Sequence, residues 1–454
     1  MAEKLQRRLG IVPATNIVVA NMIGAGIFTT TGLLMAGLNN PLLMLSLWIA
    51  GGVIALCGAL SYGELGASMP EAGGEYFFLS KLYHPAFGFL SGWVSFTVGF
   101  PAPIAASAIG FSEYFCKALP VIPGWFERTG LLTHASMLKL IAIAVIVTFT
   151  IIHSRGIKYG SLVQNILTYM KVALILLLLI AGFTYGQGDT GNFTSGSGLS
   201  GGFAGWKSAG LSLMWIMFAY SGWNASTYVG SEIRNPLKTI PWSLILGTTI
   251  VMILYLGLNI LYIYAINPTD IKGVVAVGGL AMGNLFGRSA EILFSLLIAF
   301  ALFSSLSAFV IIGPRIYYSM AKDGLFFNVV ARIHPRHKVP SNSIVLQSAI
   351  SVILVLSGSF EQVLTYMGFA LGIFPIMAVL GTIRLRKRNM SVLKIKGFPF
   401  VQLIYVLSAV AILILSFMER PKESSIALIT VLAGIPVYFI FNKLNAKKLF
   451  GKST

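Results

Sequence analysis

The stretch "NMIGAGIFTT", residues 21–30, lies inside an apolar run long enough to cross a membrane, yet Gly24 and Gly26 interrupt it near its middle. Backbone left unpaired in hydrocarbon is costly, so irregular backbone at that depth is tolerated only where it is buried in protein or lines a cavity. The interruption therefore predicts a broken span inside a bundle.

Composition agrees with a bilayer as the solvent. Of 454 residues, 56% are hydrophobic and only 10% are charged, too little polar surface to cover a soluble globule. Windows of about 20 apolar residues bounded by charges or turn residues recur twelve times, at 13–37, 42–69, 85–118, 136–153, 160–185, 206–230, 241–266, 289–318, 340–358, 363–383, 398–418 and 424–441. The first is long and lacks a small-residue cleavage site after it, so it reads as a span and not as a signal peptide.

The net charge of +18 would suggest a nucleic-acid partner in a soluble protein. Here the Lys and Arg residues cluster in alternate loops. With the N-terminus inside, segments such as "KLQRR" (4–8) and "RLRKRNMSVLKIK" (384–396) make the inner side carry almost three times the Lys and Arg of the outer side. That bias predicts both termini cytoplasmic in a cell membrane.

Lys171 belongs to neither side. It lies about 12 residues into the fifth span, on the order of 18 Å along it and near the bilayer midplane. An intramembrane cation is expensive unless paired or neutral, so Lys171 is a functional candidate. A lysine snorkelling to an interface is the simpler reading, but the apolar run continues for ten residues beyond it.

A second interruption sits in the sixth span, at Ser221 and Gly222 between Tyr220 and Trp223. The two breaks begin two five-span sets, and an odd number of spans gives the sets opposite orientation, which is the inverted-repeat pattern. Either cluster alone fits close helix packing by small residues. Both at matching positions, with a buried lysine, favour a binding site.

"NMIGAGIF" (21–28), "AGGEYFFLSKLYHP" (72–85), "FAYSGWN" (218–224) with "SEIRNP" (231–236), and "RIYYSMAKDG" (315–324) together resemble the amino acid–polyamine–organocation transporters. The likeness is to the L-type amino acid transporter branch and its bacterial relatives, over nearly the whole chain. It implies an all-α membrane protein of twelve transmembrane helices with the leucine-transporter-like 5+5 inverted repeat. The first repeat would be residues 1–186 and the second 187–391, with peripheral helices 11 and 12 and a cytoplasmic tail in 392–454. It also implies a sodium-independent secondary transporter of neutral L-amino acids, working as an exchanger by alternating access around a midplane site, with no enzyme activity and no cofactor. The alternative is a proton-coupled permease, which would need Lys171 to lose its proton during the cycle, or a cationic amino acid or polyamine permease, which would need a carboxylate in the pocket where no acid falls clearly at the midplane.

By this resemblance the N–H groups of Ala25, Gly26 and Ile27, at the positive end of a half-helix, hold the substrate carboxylate. The carbonyls of Met22, Phe218, Ala219 and Ser221 hold its amine, Phe218 and Trp223 gate it, and "PAPIAASAIG" (101–110) lines the side-chain pocket. Many members carry Ser where this chain has Ala25, so carboxylate binding here rests on backbone groups. In sodium-coupled members a cation bridges the first and eighth helices. The Lys171 ammonium takes its place, beside the carbonyls of Ala20 and Ile23 and the hydroxyls of Ser304 or Ser305.

Mammalian members bond a glycoprotein through a cysteine in the outer loop after the third span. Here that loop, "LPVIPGWFERTGLLTH" (119–134), has none, so no disulfide-linked subunit is expected. Cys57 and Cys116 lie within apolar segments and support neither a disulfide framework nor a metal cluster. "GSGLSG" (196–201) has the glycine spacing of a dinucleotide loop but no strand before it, and the terminal "GKST" lacks the upstream glycine of a phosphate loop. His334 and His337 read as solvated in a basic loop, and Glu113 and Glu232 as structural acids at the membrane ends. No loop is long enough to be the output domain of a receptor.

Overall fold

The computed structural model describes residues 7, 9–71, 73–121, 133–155, 160–195, 202–334 and 339–450. Arg128, Lys158, His337, "GSGLSG", "GKST" and most of the 119–134 loop lie outside the described residues. The described chain is helical, and its one β-bridge joins Leu9 to Ile233.

Among the described residues, ten helices are long and apolar enough to cross a membrane. The other two expected spans are shorter helices, Phe203–Ala219 and Ser341–Ser357. In chain order the helices are α1 (Ile11–Met22), α2 (Ala25–Thr29), α3 (Thr31–Leu38), α4 (Pro41–Ser68), α5 (Glu75–Leu82), α6 (Pro85–Val94), α7 (Pro101–Ala118), α8 (His134–Ser154) and α9 (Gly160–Tyr185). They continue as α10 (Phe203–Ala219), α11 (Pro236–Ala265), α12 (Val277–Phe286), α13 (Arg288–Lys322), α14 (Ser341–Ser357), α15 (Phe360–Lys387), α16 (Phe400–Glu419) and α17 (Pro421–Phe450).

The first expected span is α1 followed by α2 and α3, divided at Ile23 and Gly24, both of extended backbone. Asn39 in the left-handed region closes α3, and Asn40 caps α4 by accepting from the Leu43 N–H, with Pro41 at the first helical position. The sixth span, expected to run to residue 230, is helical only to Ala219. Beyond it Gly222 has φ +99°, and the chain continues as two short 3-10 turns before α11.

The third span has a break of another kind. A π turn, Ser95–Gly99, joins α6 to α7, with the Phe100 N–H donating five residues back to the Ser95 carbonyl at 3.1 Å. Pro101 and Pro103 supply no N–H to the preceding turn, which accounts for the local shift in register.

The closest-packed pairs are α4 with α11 and α7 with α13, while α1 lies along α11. One apolar core runs from Ala14 to Val431 and draws on nearly every helix. By contrast α8 and α16 bury few residues, and exposed Ile253, Leu407, Ile429 and Phe439 give the exterior an oily face suited to lipid. The end of the bundle beyond α3 is sealed. A Cβ on Gly32 would stand 2.1 Å from the Val274 carbonyl, and Gly273 N–H donates to the Gly32 carbonyl at 2.8 Å. Tyr114 donates to the Phe28 carbonyl at 2.5 Å and accepts from the Gly278 N–H at 3.0 Å, tying α12 to α2.

Candidate functional site

The two interruptions meet. A Cβ added to Gly26 would lie 2.6 Å from the Ala219 Cα, and one added to Gly222 would lie 2.8 Å from the Asn21 carbonyl carbon. Real side chains do not come so near, so backbone abuts backbone at two points, and this answers why the first span carries glycine at its centre. Gly222 also needs its positive φ, which residues with a Cβ seldom adopt.

Lys171 reaches this junction from α9. Its ammonium donates to the Ile23 carbonyl at 2.8 Å, the Ala20 carbonyl at 3.3 Å and Ser305 Oγ at 3.2 Å. Ser305 in turn donates to the Ile23 carbonyl at 3.0 Å, and neighbouring Ser304 is fully buried. The side chain of Lys171 is 1% exposed, and its buried amine is held by oxygen acceptors from α1, its C-terminal break and α13. Asn16 adds a second tie between α1 and α9, donating to Tyr169 Oη at 2.6 Å.

A residue the sequence did not single out bridges both breaks. Tyr255 of α11 lies within hydrogen-bonding distance of the Met22 carbonyl at 2.6 Å and the Ala219 carbonyl at 3.1 Å. Two carbonyls expected to hold a ligand amine thus already face a hydroxyl, although each oxygen keeps a second lone pair. The Phe218 carbonyl accepts from the Ser221 N–H at 2.8 Å.

Beside the junction lies a cavity of about 170 Å³, over ten times the roughly 10–15 Å³ that one water requires. Phe218, Ser221, Gly222 and Trp223 line it, with Asn21 and Ile17 from α1 and Gly99, Phe100 and Pro103 from the π-turn region. Met217, Met367 and Leu371 make most of the remaining wall apolar. Of the expected ligand-binding residues, Phe218 and Ser221 face this space. Met22, Ala25, Gly26, Ile27 and Ala219 sit behind it, where Gly26 meets Ala219.

Sequence reasoning also missed two acids. Glu64, fully buried in α4, accepts two bonds of 2.6 Å from Arg386 and further ones from Ser391 Oγ and the Ile395 N–H, so its charge is paired and saturated. Glu75, at the start of α5, lines the cavity. Its Oε1 accepts from Tyr62 and from Asn224, both at 2.9 Å. Burial pushes the Glu75 carboxyl up to about 7, against Tyr62, Asn224 and Ser91, whose bonds favour the charged form. No group of three His, Cys, Asp or Glu able to hold a metal occurs among the described residues.

Residues 9–441 match the amino acid permease family. The chain is 27% identical to the b(0,+)-type amino acid transporter 1 of Mus musculus, covering 96% of this chain and 88% of the relative. It is 28% identical to the large neutral amino acids transporter small subunit 2 of Mus musculus, over 96% and 81%. It is 27% identical to the serine/threonine exchanger SteT of Bacillus subtilis (strain 168), over 97% and 98%. These relatives are transporters and not enzymes. With its broken helices, oily exterior and match over most of its length, the chain belongs to the amino acid permease family, multi-pass membrane transporters of the amino acid–polyamine–organocation superfamily.

Proposed function

We propose that this protein exchanges neutral L-amino acids across the cell membrane without sodium, by alternating access around the cavity between its two broken helices. The observation that carries the reading is the backbone-to-backbone meeting of those breaks beside an apolar cavity. An α-amino acid presents a carboxylate and an ammonium at fixed separation, and a pair of helix breaks offers N–H donors to one and carbonyls to the other. The N–H groups of Ala25, Gly26 and Ile27 take the carboxylate once Ala219 draws back from Gly26. The carbonyls of Phe218 and Ser221, with the spare lone pairs of Met22 and Ala219, take the amine. Phe218 and Trp223 act as gates, and the methionine-rich wall receives an uncharged side chain.

Sodium independence is supported by the Lys171 ammonium, which occupies the oxygen cluster of Ala20, Ile23 and Ser305. The twelve-span topology in this reading has two inverted five-helix repeats, divided near residue 187, and both termini in the cytoplasm. The chain works without a disulfide-linked subunit.

One observation favours the alternative of a cationic substrate: Glu75 brings a carboxylate to the cavity wall. The deciding experiment is radiolabelled uptake by the purified chain in proteoliposomes, with and without internal amino acid, sodium and added arginine or lysine. Exchange of neutral amino acids that ignores sodium is expected. Uptake driven by sodium, or dependent on a second subunit, overturns the reading. Strong competition by arginine or lysine that Glu75→Gln abolishes replaces it with the alternative.

A further inference from the structure

Glu75 is tied to two elements that must part if the sixth span is to move. Through Oε1 it accepts from Tyr62 of α4 and from Asn224, which lies just past the break at Gly222. Its own backbone begins α5 behind Gly74, whose positive φ of +51° and crowding against the Tyr228 ring hold that turn against the same segment. Gly73 N–H donates to the Tyr228 carbonyl at 3.3 Å. The Glu75 carboxyl group thus fastens the stretch after α10 to α4 and α5, at the end of the bundle where Leu9 pairs with Ile233.

We propose that Glu75 is a proton-binding site of this gate: the protonated carboxyl fastens the segment after the sixth-span break, and loss of the proton releases it. This rests on the transport reading above. The bonds from Tyr62 and Asn224 both fall on Oε1, so Oε2 carries the proton without breaking either. Ser91 in α6 is also bonded to this carboxyl, and a hydroxyl can donate to a carboxylate or accept from a carboxylic acid.

Among the described residues the surroundings hold no compensating charge. Tyr62, Tyr228 and Tyr405 are the titratable groups that act with Glu75, and they are neutral hydroxyls near pH 7. Lys81, on α5, lies over the Phe77 ring, and Arg384 of α15 lies over Tyr83. Arg386 of α15 is taken by Glu64 of α4, His84, which caps α6, accepts from the Ala86 N–H, and Asp323 receives the Tyr76 hydroxyl. No cation among the described residues pairs with Glu75.

The sign follows from linkage. Fastened, the carboxyl titrates at about 7; released into water, it returns to the ordinary 4.5. The fastened state therefore binds the proton more tightly, and acid favours it. Raising the pH through this window releases the gate by up to tenfold per unit, with a ceiling of about 300-fold.

Two measurements test the site. Infrared titration of the reconstituted protein, without substrate, reads the carbonyl band of a protonated carboxyl. In wild type a band is expected to disappear around pH 7 and to be missing from Glu75→Gln. Amino acid exchange at symmetric pH, varied between about pH 5 and pH 8, is expected to slow in acid for wild type. Glu75→Gln, a mimic of the protonated form, is expected to be slow and flat with pH. Tyr62→Phe, which loses one donor to the charged form, is expected to raise the midpoint by about one unit. A wild-type pH profile in Glu75→Gln, or no titrating band near pH 7 assignable to Glu75, overturns the proposal. A chain that transports no amino acid at any pH refutes the transport reading, and the infrared titration still decides the proton site.

Discussion

Replacing Lys171 with alanine removes a hydrogen-bonded bridge from α9 to the C-terminal break of α1 and to α13. Three hydrogen bonds from the ammonium vanish, at 2.8, 3.2 and 3.3 Å. Bonds from a charged donor contribute about 1.5–3 kcal/mol each, but the ammonium is desolvated to make them, so the net contribution of the bridge is far below their sum. The Ile23 carbonyl keeps its bond from Ser305, which leaves the Ala20 carbonyl as the acceptor most exposed by the loss. One such loss, about 1–3 kcal/mol, shifts an equilibrium between two gate positions by roughly five- to hundredfold, since 1.4 kcal/mol is a factor of ten in population. The lysine side chain is absent from the cavity wall, so ligand contacts change little. Lys171→Ala is therefore expected to cut the exchange rate in proteoliposomes by at least about fivefold, with a much smaller change in apparent substrate affinity. Exchange at the wild-type rate, or a loss confined to affinity, refutes the idea that this lysine acts on the gate.

The two glycine contacts give a related pair of expectations. Gly222→Ala combines an unfavourable positive φ with a Cβ 2.8 Å from Asn21 backbone, and Gly26→Val forces a branched side chain into Ala219. Both should abolish uptake while the protein still inserts, as membrane fractionation would reveal; normal uptake in either would mean that the breaks need not touch. Arg386→Leu leaves fully buried Glu64 without its cation and should cost about 3–5 kcal/mol, seen as a lowered unfolding temperature in detergent. Adding Glu64→Gln should recover part of that loss, and an unchanged temperature in the single variant would show the pair to be dispensable. Ser221→Leu, which fills the cavity wall at the break, should abolish uptake, whereas near-normal affinity would move the ligand elsewhere.

Much of the fold is legible because a bilayer imposes simple demands. Apolar length marks the spans, and regular helix stops at Gly24 and at Gly222, although Gly51, Gly52 and Gly58 lie within unbroken α4, so glycine alone does not mark a break. Lys171 announces itself as a charge at midplane depth, and the resemblance supplied Ala20, Ile23 and Ser305 as its neighbours. The rest needed three dimensions. Tyr255 lies over two hundred residues from Met22, and no local pattern signals that its hydroxyl spans both breaks. Glu75 appeared only as one letter of a motif after the second span, because a short helix folds it back under the bundle to the cavity. Pro101 and Pro103 were visible, but "PAPIAASAIG" was read for its small side chains when the missing N–H groups were the stronger signal for the π turn. Expecting open backbone at Ala25–Ile27 overlooked that two breaks brought together cover one another.

The seal beyond α3 has a counterpart at the opposite end. Gly273 with Gly32, Tyr114 with Phe28 and Gly278 with Tyr114 form one trio of hydrogen bonds. Leu9 with Glu232, Arg234 with Leu9 and Gly73 with Tyr228 form the other. A see-saw needs nearly equal weights to rock, and each bond is worth only about 0.5–1.5 kcal/mol net. If the two ends alternate as proposed, removing a single bond from either trio tilts the balance by roughly two- to tenfold, so damaging variants are expected at both rims of the molecule.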